Sequence, residues 1–264
     1  MAAKMKLNWL QDNLRTKYLG RSILFSRKVN STNDWAKKLA RYGAQAGTTV
    51  VAATQTKGHG RLGREWISPA GGLWFSIILR PKLLPSEVVR LTFVAGLAVA
   101  KVLDKVLGLD VETKWPNDLL IKGRKICGIL TEMNTKDENV NFVVIGIGVN
   151  MNLDANAFPR KLRQQTTSLE IELGRRIRSE ELLKNLLQEM DTLFEHLKEE
   201  GFDSILGAWK QYTRFLGHRV EVTSPANHST GVALDVDCDG SLLLKLDDGE
   251  IRRITVGDIS SPTR

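Results

Sequence analysis

Apolar positions along the chain change their period several times, and each change marks an element. Leu7, Leu10 and Leu14 recur at helical spacing, whereas ILFSRKV at 23–29 reads as a strand that runs into a polar STND turn. Ser31 or Thr32 can cap a short helix over DWAKKLARY that Gly43 ends, and TTVVAATQT is the next strand. LWFSIILR, closed by Pro81, is another strand, and a long apolar helix is predicted from Ser86 and Glu87 to about Gly108. VETKW, NDLLIK, KICGILTEM and NFVVIGIGVN then follow as four strand-like runs. Leu182, Leu183, Leu186, Leu187, Met190, Leu193, Phe194 and Leu197 form the apolar stripe of a helix over 179–200, and FDSILGAWKQYTRF continues as helix.

Strand runs in direct succession, with few helices between them, argue for an α+β fold whose sheet is mixed, largely antiparallel and flanked by helices. The texture changes near Gly217. HRVEVTS, TGVALDVD, SLLLKLD and EIRRITV are short strands split by DCDG and DDG turns, which spells a small all-β unit. The expected division is residues 1–214 and 215–264.

Composition adds limits. The chain has 264 residues, a formal charge of +8 and a pI near 9.5. That balance favours anionic partners without choosing among nucleic acid, nucleotide phosphates and acidic protein surfaces. Two cysteines without metal or redox spacing are simplest to place in a reducing, cytoplasmic setting. The apolar run LTFVAGLAVA is about half the length that spans a bilayer and reads as buried helix, and the N-terminus lacks a signal-peptide core, so no membrane partner is expected.

Between two strands lies KGHGRLGREW (57–66), which contains a G-x-G-x-x-G spelling at Gly58, Gly60 and Gly63. A dinucleotide site needs a helix to open directly after those glycines, because the helix terminus binds the pyrophosphate. Here Pro69, two glycines and a β-like run follow, and no GK[ST] completes a P-loop. A glycine-rich hairpin with solvated arginines is the plain structural alternative. Against it, Arg61 and Arg64 flank bare backbone amides in a way suited to phosphate oxygens, and Trp66 offers a face to a planar ring.

The other blocks decide between these. STN at 31–33, Gln55, GHGRLGREW, KWPND at 114–118, RKICGIL at 124–130 and IGIGVN at 145–150 occur in order and at fitting distances. In this the chain resembles the biotin protein ligases, over residues 20–264. Any one block is weak, but several in register are specific. His59 departs from the pattern, standing where the family usually has arginine.

The resemblance implies the class II aminoacyl-tRNA-synthetase-like catalytic fold, a small C-terminal SH3-like β-barrel, and a two-step reaction. Biotin and ATP give biotinyl-5′-AMP, and the biotinyl group then passes to one lysine of a biotin carboxyl carrier domain. It implies that Ser31, Thr32, Asn33 and Gln55 bind the ureido head, with Gly58, His59 and Gly60 near the biotin carboxyl group. Arg61, Arg64 and Lys125 are the candidates for neutralising carboxylate and phosphate, with Mg²⁺ sharing that work. Trp66 and Asn150 are candidates for the adenine. Asp118 is the candidate for holding or deprotonating the acceptor lysine, or alternatively for ligating Mg²⁺. For Ser31 and Thr32 the structural alternative is helix capping, for Trp66 a core aromatic, and for Lys125 a solvated hairpin lysine.

Many bacterial members carry an N-terminal helix-turn-helix that represses biotin genes. With the first catalytic strand near residue 23, an enzyme without repressor function or specific DNA binding is expected. Relatives often form dimers by extending a sheet edge, and NFVVIGIGVN is a candidate strand near such an edge for a homodimer. Two rivals remain. Lipoate ligation shares the adenylate chemistry but not the GHGRLGREW pattern, and a non-catalytic nucleic-acid-binding protein should cluster its basic residues, which here are spread.

Overall fold

Alternation along the strands sets the architecture. In the computed structural model, which describes residues 5–224 and 227–260, a seven-stranded sheet is laid down with its helices divided between the two faces. The order along the chain is α1 (Leu7–Asn13), β1 (Ile23–Ser26), α2 (Thr32–Arg41), β2 (Thr49–Ala52), β3 (Leu73–Leu79), α3 (Arg90–Lys101), β4 (Val111–Lys114), β5 (Asp118–Ile121), β6 (Arg124–Lys136) and β7 (Asn139–Val149). Then come α4 (Leu169–Leu173), α5 (Ser179–Glu199), α6 (Phe202–Lys210), β8 (Arg219–Thr223), β9 (His228–Val236), β10 (Leu242–Lys245), β11 (Ile251–Ile254) and β12 (Asp258–Ser260). The outer ends of the two expected units lie outside the described residues.

The large sheet runs β1-β2-β3-β7-β6-β5-β4, and only β1 and β2 are parallel. On β7, Val143, Ile145, Ile147 and Val149 face a core shared with α3, α5 and α6, while Phe142 and Val144 face α2 with Ala36, Ala40, Val50 and Ile78. Because α2 packs mainly on the β2, β3 and β7 part of its face and touches β6 through Asn33 and Lys37, much of the rest of that face is left for the site.

The second sheet, order β11-β10-β9-β8-β12, is antiparallel throughout, and the main core runs on into it through Val220, Val222, Ala233, Leu242 and Ile259. Trp115 of the KWPND turn is 1% exposed and donates its Nε1–H to the Gly240 carbonyl at 2.9 Å. Gly240, at φ +84°, packs against Phe93 of α3, so the second sheet is keyed to the first at a tight turn that has no room for a Cβ.

Two expectations need correction, and two short elements went unread. The long helix begins at Arg90, after a 3₁₀ turn at Pro85–Glu87 in which the Glu87 carboxylate accepts the Leu84 N–H, and it ends as a π turn at Val102–Val106. NFVVIGIGVN is not near a sheet edge: β7 is the central strand, between β3 and β6 and hydrogen-bonded on both sides, and the outer strands are β1 and β4. Finally, β12 and α4 carry no readable period because they are three and five residues long.

Trp115→Phe replaces the indole by a smaller ring and removes the donor, leaving a cavity and an unpaired buried carbonyl, and should lower stability by about 2–4 kcal/mol. The midpoint of urea unfolding measures this, and an unchanged midpoint would refute it.

Candidate active site

Glycine makes the floor. Gly146 and Gly148 of β7 alternate with Ile145, Ile147 and Val149, and Gly128 of β6 pairs with Gly148, so three positions of the α2-side face carry no side chain. Each is filled from above. A Cβ at Gly148 would lie 2.5 Å from Trp66 Nε1, one at Gly128 3.0 Å from the Trp66 ring, and one at Gly146 2.0 Å from Asn33 Oδ1. Trp66 therefore rests flat on bare backbone, edge-on to Trp74 at 6.3 Å.

Lys125 reaches this face through an irregularity. Leu119 pairs with Cys127 but Leu120 with Lys125, so Ile126 is an extra residue and reverses the alternation beyond it. Lys125 thereby comes onto the face of Asp118 and Gly128. Its Nζ lies 2.7 Å from Asp118 Oδ2 and 5.0 Å from the centroid of the Trp66 ring. Asn150 donates to the Lys125 carbonyl at 3.3 Å, and the Lys125 N–H donates to Gln165 at 2.8 Å, which pins the backbone beneath the amine.

At the other end a buried polar network fans out from the STN turn. Ser31 caps α2, with its Oγ accepting from Asp34 N at 3.4 Å. Gln55 Oε1 accepts from Thr32 N at 2.7 Å, and Gln55 Nε2 donates to Ser68 Oγ at 2.8 Å. Ser76 of β3 donates its single proton to Asn33 Oδ1 at 2.6 Å, and its Oγ lies 2.8 Å from Thr32 Oγ1. Asn33 Nδ2 donates to the Leu130 carbonyl and to Glu132 Oε2, so both its protons are spent inside the protein. Gln55 keeps one N–H and Ser31 its hydroxyl proton for an incoming polar head.

The glycine loop is a tight hairpin roofing the cavity. Gly60 N donates to Arg64 O at 2.7 Å, Trp66 N to Gly58 O at 2.8 Å, and Leu62 sits at φ 55° within a 3₁₀ turn. His59 Nε2 stands 3.7 Å from Glu132 Oε2. Arg61 donates through Nη1 to Asn117 Oδ1 and the Gly257 carbonyl, both at 3.1 Å, and to Asp258 Oδ1 at 3.3 Å. Burial pulls the Arg61 pKa down while Asp258 and Asp118 oppose it, and the guanidinium stays charged.

Of the expected residues, Ser31, Thr32, Asn33, Gln55, His59, Gly60, Arg61, Arg64, Trp66, Asp118 and Lys125 all line one cavity. Two do not. Gly58 is buried at the base of the hairpin, where a Cβ would lie 2.4 Å from the Trp66 carbonyl, and Asn150 is buried behind Lys125 and supports its backbone. Sequence reasoning missed Ser76, Asn117, Glu132 and Asp258. For the floor a signal existed, since IGIGV alternates glycine with branched residues, but Asp258 sits in a three-residue strand with no motif around it. Among the described residues, five buried side-chain polar atoms lack a hydrogen-bond partner, and three of them, Trp66 Nε1, Asp118 Oδ1 and Asp258 Oδ2, are in this cavity. Such a concentration marks a ligand site.

The chemistry of this constellation is mirrored in known proteins. The profile of the Biotin/lipoate A/B protein ligase family matches residues 25–150, and that of the Biotin protein ligase C terminal domain matches residues 215–261. The bifunctional ligase/repressor BirA of Bacillus subtilis is 35% identical over 257 residues, 97% of this chain and 79% of that protein. The chain belongs to the biotin protein ligases. A biotin–[acetyl-CoA-carboxylase] ligase of Paracoccus denitrificans is 34% identical, across 83% of this chain and 92% of its own length. Among solved structures, the biotin protein ligase of Aquifex aeolicus in complex with biotin and ATP superposes with a TM-score of 0.78 at 29% identity, covering 91% of this chain and 98% of that one. The expected α+β catalytic fold with its SH3-like C-terminal unit is therefore the family's fold.

Gly148→Ala should drive Trp66 off the floor and cost about 1–3 kcal/mol through overpacking. Thermal melting reads the cost and a shifted tryptophan emission reads the displacement. A variant with parental stability and emission would show that the floor tolerates a methyl group.

Proposed function

We propose that this ligase activates biotin with ATP to biotinyl-5′-AMP and transfers the biotinyl group to one lysine of a biotin carboxyl carrier domain. The observation that carries it is the placement of Lys125, paired with Asp118 and lying over Trp66, opposite a glycine loop that brings in Arg61. In the first step a biotin carboxylate oxygen bonds to the α-phosphorus, the α–β phosphate bond breaks, and pyrophosphate leaves. Two anions must meet, so positive charge held in place is the main requirement. Lys125, Arg61 and Arg64 supply it, with Lys125 between carboxylate and phosphate.

Ser31, Thr32 and Gln55 face the ureido head, while Asn33, fully engaged, orients them. His59 and Gly60 cover the carboxyl end, and Gly58 shapes the hairpin from its base. Trp66 stacks on the adenine. Asn150 acts by setting the Lys125 backbone. In the second step the acceptor amine attacks the acyl carbon, the acyl–phosphate bond breaks and AMP leaves. Asp118, whose Oδ1 is free of partners, takes up or holds the amine's proton.

Among the described residues no three His, Cys, Asp or Glu side chains gather as a metal cage. A magnesium ion that arrives on a triphosphate needs only one or two carboxylates, and Asp118 Oδ1 fits that demand. When bound, the ion shields phosphate charge. Residues 1–214 form the catalytic unit in this reading, and 215–264 a unit that closes over the nucleotide side and meets the carrier. Cys127 and Cys238 are unpaired thiols, which supports a reducing, cytoplasmic setting; no helix among the described residues is long and apolar enough to cross a membrane. A homodimer built by sheet extension would use β1 or β4.

Incubation with biotin, ATP, Mg²⁺ and an apo carrier domain should add one biotin to one lysine by mass spectrometry. No transfer of biotin, or equal transfer of lipoate, sinks the assignment. Lys125→Gln should lower kcat/KM for adenylation by about 10²–10³. Arg61→Gly should let the adenylate escape and label nearby amines at random, and retention equal to the parent would remove that role from Arg61.

A further inference from the structure

Both guanidiniums of the glycine loop point at a single carboxylate that belongs to neither the loop nor the large sheet. Asp258 stands on β12, an outer strand of the second sheet, with Oδ1 3.3 Å from Arg61 Nη1 and Oδ2 2.7 Å from Arg64 Nη2. We propose that Asp258 is a positioning residue for the nucleotide: it gathers Arg61 and Arg64 at the cavity mouth before ATP arrives, and hands Arg64 to the phosphates. This rests on the adenylating function proposed above.

The loop explains the need. Its own hairpin bonds tie residues 58–66 to one another but fasten little of it to the floor, and two like charges three residues apart repel. Asp118 is the other acid acting on Arg61, and it is engaged by Lys125. Glu132 faces His59 and Lys37 rather than the arginines. Without Asp258, Arg61 would keep two neutral acceptors, Asn117 Oδ1 and the Gly257 carbonyl, and the Arg64 guanidinium would have no partner among the described residues.

The two arginines are held differently. Arg61 is 21% exposed and meets three oxygens, whereas Arg64 is 60% exposed and, among the described residues, its guanidinium meets only Asp258. The Arg64 contact, although short, is misaligned for hydrogen bonding, since Oδ2 has no hydrogen-bond partner despite its proximity. A phosphate, with oxygens available in line, offers Arg64 better geometry than the carboxylate does. Arg61 is the fixed half of the clamp and Arg64 the half that swings.

Asp258→Asn keeps the volume and removes the charge. In biotin-dependent ATP–pyrophosphate exchange it should raise KM for ATP about tenfold with kcat within about twofold, because the lost ordering weakens ground and transition states alike. Asp258→Glu should restore KM to within about twofold, and in an Arg64→Ala background Asp258→Asn should raise KM by less than about threefold, because only the Arg61 contact is then left to lose. Amide hydrogen exchange over residues 57–66 of the nucleotide-free protein should be faster in Asp258→Asn, whatever the activity. An unchanged or lowered KM, an additive double mutant, or unaltered exchange in the loop would each overturn the proposal. A parent that shows no biotin-dependent exchange at all would instead overturn the adenylating function, and the loop measurement would still decide the role of Asp258.

Discussion

Every group in the cavity depends on side chains that are missing from its floor. Gly128, Gly146 and Gly148 leave room for a tryptophan ring and an asparagine amide to lie directly on sheet backbone, closer than any Cβ permits. The same strand that carries two of these glycines carries isoleucines and valines on its opposite face, buried under α3. One period-two pattern thus does two things at once: its branched half anchors the sheet to the core, and its glycine half opens the site. Neither half can shift by one residue without exchanging core and cavity.

Around that floor the fold brings three sources of polar groups together at different depths. The α2 N-terminus and β3 supply a polar network from Gln55 to Glu132, closed around Asn33 and open at Gln55 and Ser31, which holds donors where a neutral ring system would bind. The bulged β5–β6 pair supplies Lys125 and Asp118, charges that neutralise each other until a substrate arrives. The loop supplies guanidiniums, and these are balanced from outside the large sheet. The second sheet is part of the same core, and Trp115, Gly240 and Phe93 keep it in register with the first, so the carboxylate on β12 is presented at a defined place.

Much of the fold was legible because it is written in long, regular patterns. The strand successions, the stripe of α5 and the turn-rich C-terminal segment all carry enough period to be read. The helix before Gly108 was overextended at its start because Pro85 and Glu87 look like helix-opening chemistry, and they build a separate 3₁₀ turn. The place of β7 was misjudged because strand order depends on long-range pairing. Most of the candidate residues that line the cavity lie in ordered motifs, and the motif also led to Asn150, which bonds to the Lys125 carbonyl from behind instead of lining the cavity.

The sequence by itself determined the element types, the largely antiparallel sheet, the family and the chemistry-bearing blocks, since local period and motif spacing survive without coordinates. Only the tertiary structure decided three things. The bulge at Ile126 turned Lys125 onto the glycine face, the network of Ser76 and Glu132 consumed the Asn33 amide, and the packing of the second sheet brought Asp258 to the arginines of a loop nearly two hundred residues away. Each is a relation between positions far apart in the chain, fixed by pairing register and core packing, and such relations leave no local trace in the order of amino acids.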